Sequence, residues 1–474
     1  MKRSSGILIH LTSLPNEHGI GDLGKCAYDW VDFLASAKQE YWQMLPLGPT
    51  GFGNSPYSAS SAHAANSLLI SLDELVQDGL LSRADMLPYD GVPQRVEFDK
   101  VRPYKQTHLL KAFENFKLRT ELTEQFSQFC AENTWLDAYA RFACERENEK
   151  DPEFIKFQQF IFQKQWRKFK TYANANGIKL IGDLPMYVAQ DSVERQTSPE
   201  LFDLQSGFVA GTPPSPAYPA GQKWGNPLFR WDKQRENGYR WWIDRLKALL
   251  QQADVVRLDY FCGFSRTWAT NGKSGHWRPG PGSDLFEKTR RALGQVPFIA
   301  EDLGELTREI HTLRDRFGMA STKVLQYAFD GLPHNPYLPS HYSNPNCVVY
   351  TGTHDNDTAK GWFASAPSYV RENARHLLRS DGRDISWDLI KFAAYSKADL
   401  MMVPFQDVLC LGSEARFNTP GTCSNINWSW RLKPDQINTK TAEALSWMTI
   451  SSNRYTASPA KAVEPAGAPA ALSS

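Results

Sequence analysis

Asp259, Glu301 and Asp355 each close a short run of mostly apolar residues, the position where a polar side chain follows a buried strand. Cleavage of a glycosidic bond with retention of configuration requires two carboxyl groups about 5 Å apart. One acts as the nucleophile, and the other protonates the oxygen that leaves. These three acids could supply such a pair with one to spare.

The neighbours of these acids favour different ionisation states. Arg257 lies two residues before Asp259 and therefore on the same side of a strand. Its positive charge would oppose protonation of that carboxylate, as a nucleophile requires. Glu301 follows an apolar run, and such surroundings raise the pKa of a carboxyl group towards that of a working acid. His354, next to Asp355, offers a hydrogen-bond donor that suits sugar hydroxyls.

Structural roles for the same residues stay open. An acid that follows a strand is commonly a helix cap or the ion-pair partner of a loop residue. Glu301 could instead be the buried partner of a Lys or Arg. A single histidine such as His354 is more often structural than functional.

The elements that must position these side chains are short apolar runs bounded by turn residues. Amphipathic helical patterns, such as residues 241–250, occupy several of the gaps between the runs. Alternating strands and helices predict a parallel sheet, and eight such strands predict an α/β fold of the closed (β/α)8, or TIM barrel, type. The eight runs lie at residues 6–10, 41–46, 178–183, 255–259, 298–302, 324–327, 348–355 and, more loosely, 401–411.

Two stretches interrupt this rhythm, so the barrel is expected to carry largely helical insertions. Residues 71–170 contain successive helix-like segments at 104–117, 123–147 and 153–175, and residues 190–235 suggest a loop insertion. We therefore expect a single catalytic domain over residues 1–455. Residues 456–474 are rich in Pro, Ala and Ser and are expected to be disordered.

The composition argues against several classes of partner. The 53 Lys and Arg residues against 52 Asp and Glu give a formal charge of +1 without a basic block, so neither nucleic acid nor a membrane is expected as a partner. His10 interrupts the first apolar run before it reaches the length of a signal peptide or a membrane span. Seven scattered cysteines without a CxxC pair suggest reduced thiols in the cytoplasm. With neither a phosphate-binding Gly-rich loop nor a metal cluster, no cofactor and no metal are expected.

Five longer motifs carry a resemblance that extends from Gly6 to about Leu432. The sequence resembles the amylomaltases, the disproportionating 4-α-glucanotransferases of the broader α-amylase clan. The motifs are LPLGPTGFGNSPY at 45–57, GDLPMYV at 182–188, GQKWGNP at 221–227, GTHDNDT at 352–358 and LGSEARFNTPG at 411–421.

The resemblance implies roles for particular residues and no cofactor. It implies that Asp259 is the nucleophile, Glu301 the general acid and base, and Asp355 the acid that grips hydroxyls of the reacting sugar. Eight further residues are implied to bind substrate, with loop architecture as the alternative for Asp330 and Asn427. Those around the reacting ring are Tyr57, Asp183, Arg257 and His354, and those along the cleft are Gln222, Trp224, Asp330 and Asn427.

Several stretches depart from the family's usual pattern. Around the nucleophile the family commonly has Arg-Ile-Asp-His-Phe-Arg-Gly-Phe, whereas residues 257–264 are RLDYFCGF. Residues 265–281 look shortened, and PAYPA at 216–220 and CSNINW at 423–428 replace the usual loops. These changes affect the expected loop shape, and with it acceptor choice and product size.

The expected function is transfer of α-1,4-glucan segments by a retaining double displacement. Donors would be maltodextrins or other α-1,4-glucans, and acceptors would be glucose or maltooligosaccharides. Transfer is expected to outrun hydrolysis because the cleft offers rings for stacking and amides for hydrogen bonding, namely Trp224, Trp428, Gln222, Asn418 and Asn427. The alternatives are a retaining α-glucan hydrolase on the same barrel and a glucan-binding protein that has lost catalysis.

Overall fold

A computed structural model describes residues 2–147, 151–214, 219–304 and 306–455. The tail at 456–474, expected to be disordered, lies outside the described residues. Within these ranges none of the helices combines the length and the apolar character needed to cross a bilayer.

The described residues contain thirteen β-strands. In chain order they are β1 Ser4–Leu8, β2 Tyr41–Gln43, β3 Lys179–Leu184, β4 Phe202–Asp203, β5 Val209–Thr212, β6 Gln222–Phe229, β7 Val255–Leu258, β8 Arg266–Thr270, β9 Gly275–Pro279, β10 Phe298–Ala300, β11 Ala320–Val324, β12 Cys347–Tyr350 and β13 Leu400–Pro404.

The same ranges contain sixteen α-helices. They are α1 Lys25–Ser36, α2 Leu72–Gln77, α3 Phe98–Phe116, α4 Thr120–Glu132, α5 Leu136–Glu147, α6 Pro152–Ala175, α7 Val193–Thr197, α8 Trp231–Glu236, α9 Arg240–Gln252, α10 Ser283–Leu293, α11 Arg308–Arg316, α12 Ala359–Ser365, α13 Ser368–Leu378, α14 Ile385–Ala394, α15 Phe405–Val408 and α16 Thr439–Ser451.

Eight strands close into a parallel barrel in the order β1-β13-β12-β11-β10-β7-β3-β2, which confirms the predicted (β/α)8 class. The strands are short and mostly buried because the barrel interior covers one face and the surrounding helices cover the other. Trp42 on β2 shows the pattern: its ring is fully buried, and its indole N–H donates to the Ile9 carbonyl at 2.8 Å.

The predicted runs at 324–327 and 401–411 differ most from the observed strands. The sixth barrel strand is Ala320–Val324 rather than 324–327, where Leu325–Tyr327 instead forms a 3-10 turn. The polar residues of this strand hide it from a search for apolar runs. Thr322 is nevertheless buried, and its hydroxyl is satisfied because it donates to the Ala300 carbonyl at 2.9 Å. The eighth strand ends at Pro404, where α15 begins, and does not extend towards residue 411.

The insertion between β2 and β3 holds five helices, α2 to α6. The helical pattern over 123–147 divides into α4 and α5, because the Asn133 side chain donates to the Phe129 carbonyl at 2.8 Å and ends α4. Residues 190–235 are not only loop: they supply β4, β5 and β6 to an antiparallel five-stranded sheet of order β4-β6-β5-β8-β9. This sheet stands beside the carboxyl ends of β3 and β7.

Candidate active site

Parallel strands bring the three acids to one mouth of the barrel. Asp259 directly follows β7, Glu301 directly follows β10, and Asp355 lies in the loop after β12. The register pairs Leu258 with Ala300, so Asp259 and Glu301 leave adjacent strands at the same level. Neighbouring strands lie about 4.8 Å apart, which brings the two acids to the start of one small space.

Arg257 is the centre of the charged cluster at this mouth. Its Nη1 donates to both carboxylate oxygens of Asp183, at 2.9 and 2.7 Å, and to Oδ1 of Asp259 at 3.0 Å. Burial lowers the pKa of Arg257, but the carboxylates of Asp183 and Asp259 outweigh it and raise that pKa well above its usual range. A permanent cation therefore lies against the Asp259 carboxylate.

Glu301 has a different environment from Asp259. Its Oε2 accepts a hydrogen bond from the backbone N–H of Tyr260 at 2.7 Å, rather than from a Lys or Arg side chain. Burial raises the pKa of Glu301 to about 8; the charges of Asp259 and Asp355 add to the rise and Arg257 opposes it. Burial thus favours the protonated form of Glu301, while its neighbour Asp259 lies beside a cation.

Asp355 is held from the loop that follows β13. The side-chain amide of Asn418 donates to Oδ1 of Asp355 at 2.6 Å, and Nη2 of Arg416 donates to its backbone carbonyl at 2.8 Å. Nε2 of His354 lies 3.6 Å from the same Oδ1. The Asp355 side chain is 47% exposed and therefore faces the open mouth.

Tyr57, Asp183 and His354 form one connected wall of the mouth. The Tyr57 hydroxyl donates to Oδ2 of Asp183 at 2.8 Å, and its ring stacks on the His354 imidazole with centroids 5.0 Å apart. Burial lowers the pKa of His354, which keeps the imidazole neutral. Trp428 extends the wall at 6.1 Å from His354. Four of the residues expected around the reacting ring are therefore brought together: Tyr57, Asp183, Arg257 and His354.

Gln222 and Trp224 lie at the start of β6, next to the loop that follows Asp259. The Trp224 indole N–H donates to the Gln222 side-chain carbonyl at 2.8 Å. The Trp224 ring is 38% exposed and meets the Tyr260 ring edge-on at 4.8 Å, which places it next to the residue that follows Asp259.

Asp330 and Asn427 do not contact the three acids. Asp330 is exposed and accepts a hydrogen bond from the Leu332 amide at 2.9 Å. The buried Asn427 side chain accepts from the Thr419 amide and donates to Thr422, so it closes the loop between those residues. Both side chains are engaged in loop architecture.

Three contributions at this site have weak sequence signals or none. The Tyr260 N–H that holds Glu301 is a backbone group, which every residue except proline has. Arg416 acts on a backbone carbonyl, and Asn418, expected among the acceptor-binding amides, holds Asp355. Among the described residues, the one group of His, Cys, Asp or Glu close enough to hold a metal is Glu17, His18 and Asp73, far along the chain from this mouth. His18 and Asp73 already pair with each other at 3.3 Å.

Comparison with known proteins gives one consistent result. A profile of the 4-alpha-glucanotransferase family matches residues 9–151 and 143–438. The 4-alpha-glucanotransferase of Synechocystis is 43% identical over 94% of this chain and 97% of its own length. That of Thermus thermophilus is 39% identical over 96% and 99%. The structure of Streptococcus agalactiae amylomaltase in complex with acarbose matches with a TM-score of 0.91 and 32% identity, covering 96% of this chain and all of that one.

Proposed function

Because the chain belongs to the 4-α-glucanotransferase family, we propose that the barrel mouth is its active site and that three acids perform the transfer. Asp259 is the nucleophile, Glu301 the general acid and base, and Asp355 the group that grips hydroxyls of the reacting sugar. One observation carries this proposal: Asp259 and Glu301 leave adjacent strands at the same level, yet only Asp259 is paired with a cation. Burial favours the protonated form of Glu301, whereas the Asp259 carboxylate lies against the Arg257 cation.

In the first step an oxygen of the Asp259 carboxylate attacks the anomeric carbon of an α-1,4-linked glucosyl residue. The glycosidic bond breaks, and its oxygen takes the proton of Glu301, so the reducing-end part of the chain leaves as an alcohol. The rest of the chain is held as an ester on Asp259. Arg257 donates to the same carboxylate and orients it for the attack.

In the second step the hydroxyl of an acceptor sugar attacks the anomeric carbon of that ester. Glu301, now ionised, removes the hydroxyl proton, and the bond to Asp259 breaks. Each step inverts the anomeric carbon, and the two inversions retain the α configuration.

The remaining residues are proposed to bind the chain. Tyr57, Asp183 and His354 surround the reacting ring, because they form the wall that Arg257 joins to Asp259. Gln222 and Trp224 contact sugars across the mouth, where the Trp224 ring is partly exposed.

Asp330 and Asn427 are proposed to act further along the cleft through the loops that they shape. Asn427 fixes the turn between Thr419 and Thr422, directly after the residue that holds Asp355. In this role Asn427 contributes the shape of the cleft wall, since its own amide is already hydrogen-bonded.

Donors are proposed to be maltodextrins or other α-1,4-glucans, and acceptors glucose or maltooligosaccharides. The family assignment supports this class of substrate. The complex of Streptococcus agalactiae amylomaltase with acarbose is consistent with it, and we expect acarbose to compete with donors here. Free thiols at all seven cysteines support action in the cytoplasm.

Incubation with maltotriose alone tests the proposal. The products should be glucose together with maltopentaose and longer chains, and the number of reducing ends should stay almost constant because transfer conserves it. Water competes for the same ester, so transfer requires a cleft that holds the acceptor and keeps water poorly aligned. A steady rise in reducing ends, without chains longer than maltotriose, would show a hydrolase instead.

A further inference from the structure

The five-stranded antiparallel sheet curls so that its two edge strands meet. Arg278 on β9 forms an ion pair with Asp203 on β4, although these strands lie at opposite ends of the sheet order. Partial burial opposes ionisation of Asp203, but hydrogen bonds from Arg278 and Ser206 lower its pKa to about 2. The link between the edges is therefore charged at any ordinary pH.

A cavity of about 760 Å³ opens where the edges meet, and we call it the sheet pocket. It is far larger than the roughly 70 Å³ space behind Tyr57 and Asp183 at the barrel mouth. Its volume lies within the range of about 300–1,000 Å³ that is usual for small-ligand sites.

Aromatic rings form the inner wall of the sheet pocket. Tyr187 stacks parallel to Phe229 at 6.2 Å, and Trp231 lies 5.0 Å from Phe229. The Tyr187 hydroxyl is fixed by the Thr267 hydroxyl at 2.9 Å. Tyr187 and Phe229 are each only 7% exposed and form the floor of the pocket, so the partly exposed Trp231 ring offers the surface that suits the apolar face of a sugar ring.

Polar side chains line the outer part of the pocket with almost balanced charge. Three acids and two arginines contribute to the lining, a net charge of 2 − 3 = −1. Arg230 pairs with Asp232 at 2.7 Å, and Gln205 is exposed at the rim. A lining with both donors and acceptors and little net charge favours a neutral, hydroxyl-rich ligand over an anion or a cation.

The sheet pocket lies next to the barrel mouth, with the Tyr187 ring between them. Strand β6 carries Trp224 at the mouth and Phe229 in the pocket, five residues further along. Tyr187 bridges them, since its ring is 6.3 Å from Trp224 and 6.2 Å from Phe229.

We propose that the sheet pocket is a second binding site for an α-1,4-glucan segment, separate from the sugars held at the barrel mouth. It would hold a distant part of a long chain, or a second chain, during transfer. The inference rests on the proposed glucan specificity of the mouth and adds a binding function to residues that take no part in the chemistry.

The test combines Gln205→Ala with Arg230→Ala, two exposed rim positions whose replacement should not disturb folding. Binding of maltoheptaose is measured by calorimetry in a Glu301→Gln background, which prevents turnover. We expect either the loss of one bound maltoheptaose per chain or a roughly tenfold weaker affinity, the effect of removing two polar contacts. In the active enzyme the KM for a long linear glucan should rise similarly, while kcat/KM for maltotriose is unchanged.

Arg383→Ala is the matched control, because Arg383 is also an exposed arginine paired with an acid two residues away, Asp381. It should alter neither binding nor KM. Unchanged maltoheptaose binding and unchanged KM in the double variant would overturn the second site. Absence of transfer by the unmodified enzyme would instead contradict the proposed function, so the two failures are distinct.

Discussion

Asp22–Lys105, which ties the helical insertion to the barrel, and Asp183–Arg257, at the barrel mouth, are ion pairs with almost no exposure to solvent. In the first, Lys105 donates to Asp22 and to the Ile70 carbonyl, both at 2.7 Å. The other oxygen of Asp22 accepts from the Gly24 amide at 3.0 Å and the Asn16 side chain at 2.8 Å. Both charges are fully enclosed by local partners.

The pair at the barrel mouth is not closed in this way. Arg257 continues from Asp183 to Asp259, whose side chain is 27% exposed, and Asp183 accepts from Tyr57. The network of charged groups thus extends from the buried Asp183 to Asp259, a carboxylate that a ligand can reach. Burial and pairing alone do not separate a structural ion pair from a functional one; the difference is whether the hydrogen-bonded chain ends inside the protein or at an open space.

Removal of the acids at the barrel mouth should have the largest effect on activity. Asp259→Ala and Glu301→Gln should each lower kcat by roughly four orders of magnitude or more, because each group acts in the transition state. Both variants should keep the circular dichroism spectrum of the unmodified protein. Turnover is measured as glucose released from maltotriose, and near-normal turnover in either variant would remove that residue from its role.

Asp302 supplies the control for this experiment, since it follows Glu301 but faces a different environment. It is buried, and it pairs with Arg314 at 2.6 Å and accepts from the Thr322 amide at 2.8 Å. Asp302→Asn should lower stability without a comparable loss of kcat in the folded protein.

Loss of the buried Asp22–Lys105 pair should lower stability and leave kcat unchanged. Lys105→Met leaves Asp22 buried without its cation and should lower the free energy of unfolding by about 3–5 kcal/mol. The kcat of the protein that remains folded should not change. Urea unfolding measures the loss, and adding Asp22→Asn to the variant should recover part of it.

Lys25→Met is the matched control for that variant, because its partner Asp29 and Lys25 itself are largely exposed. It should have little effect on unfolding, as exposed pairs contribute little. A similar loss in both variants would show that burial does not distinguish them.

The smallest expected effect is the pH dependence that the raised pKa of Glu301 produces. Glu301 must be protonated to start the reaction, and it keeps its proton below a pKa of about 8. Activity towards maltotriose, as kcat/KM, should therefore hold below that pH and fall about tenfold per unit above it. A flat profile up to pH 10 would exclude Glu301 as the acid. A decline that already begins near pH 5 as the pH rises would mean that burial does not raise the pKa of Glu301.

The barrel was predictable from the sequence because its strands combine apolar runs with polar ends. The five-stranded sheet was not, because β4 has two residues and β6 includes Gly225, Asn226 and Pro227, which are typical of loops. Strand β11 was displaced in the prediction because it contains polar residues. Its Thr322 is stabilised by hydrogen bonds to Ala300 of β10 and to Asp302 in the loop after β10, contacts that no local pattern contains.

The acids at the mouth could be selected from their positions, and Arg257 from its spacing to Asp259. The sequence could not supply the contacts between residues that are distant along the chain. Asn418 lies 63 residues beyond Asp355 along the chain, and only the closure of the barrel brings its amide to that carboxylate. The raised pKa of Glu301 likewise depends on burial and on neighbours from two other strands, β7 and β12.

Tyr260 has a left-handed backbone, with φ of 47°, at the point where its amide holds Glu301. Residues branched at Cβ rarely adopt this conformation, whereas Gly, Asn, Asp and His do so more readily. In a library randomised at this position, active clones should therefore contain residues such as Gly, Asn, Asp or His and lack Val and Ile, even if activity does not require the Tyr260 ring. The torsion angle of the backbone, in addition to the contacts of the ring, therefore limits which residues this position can accept.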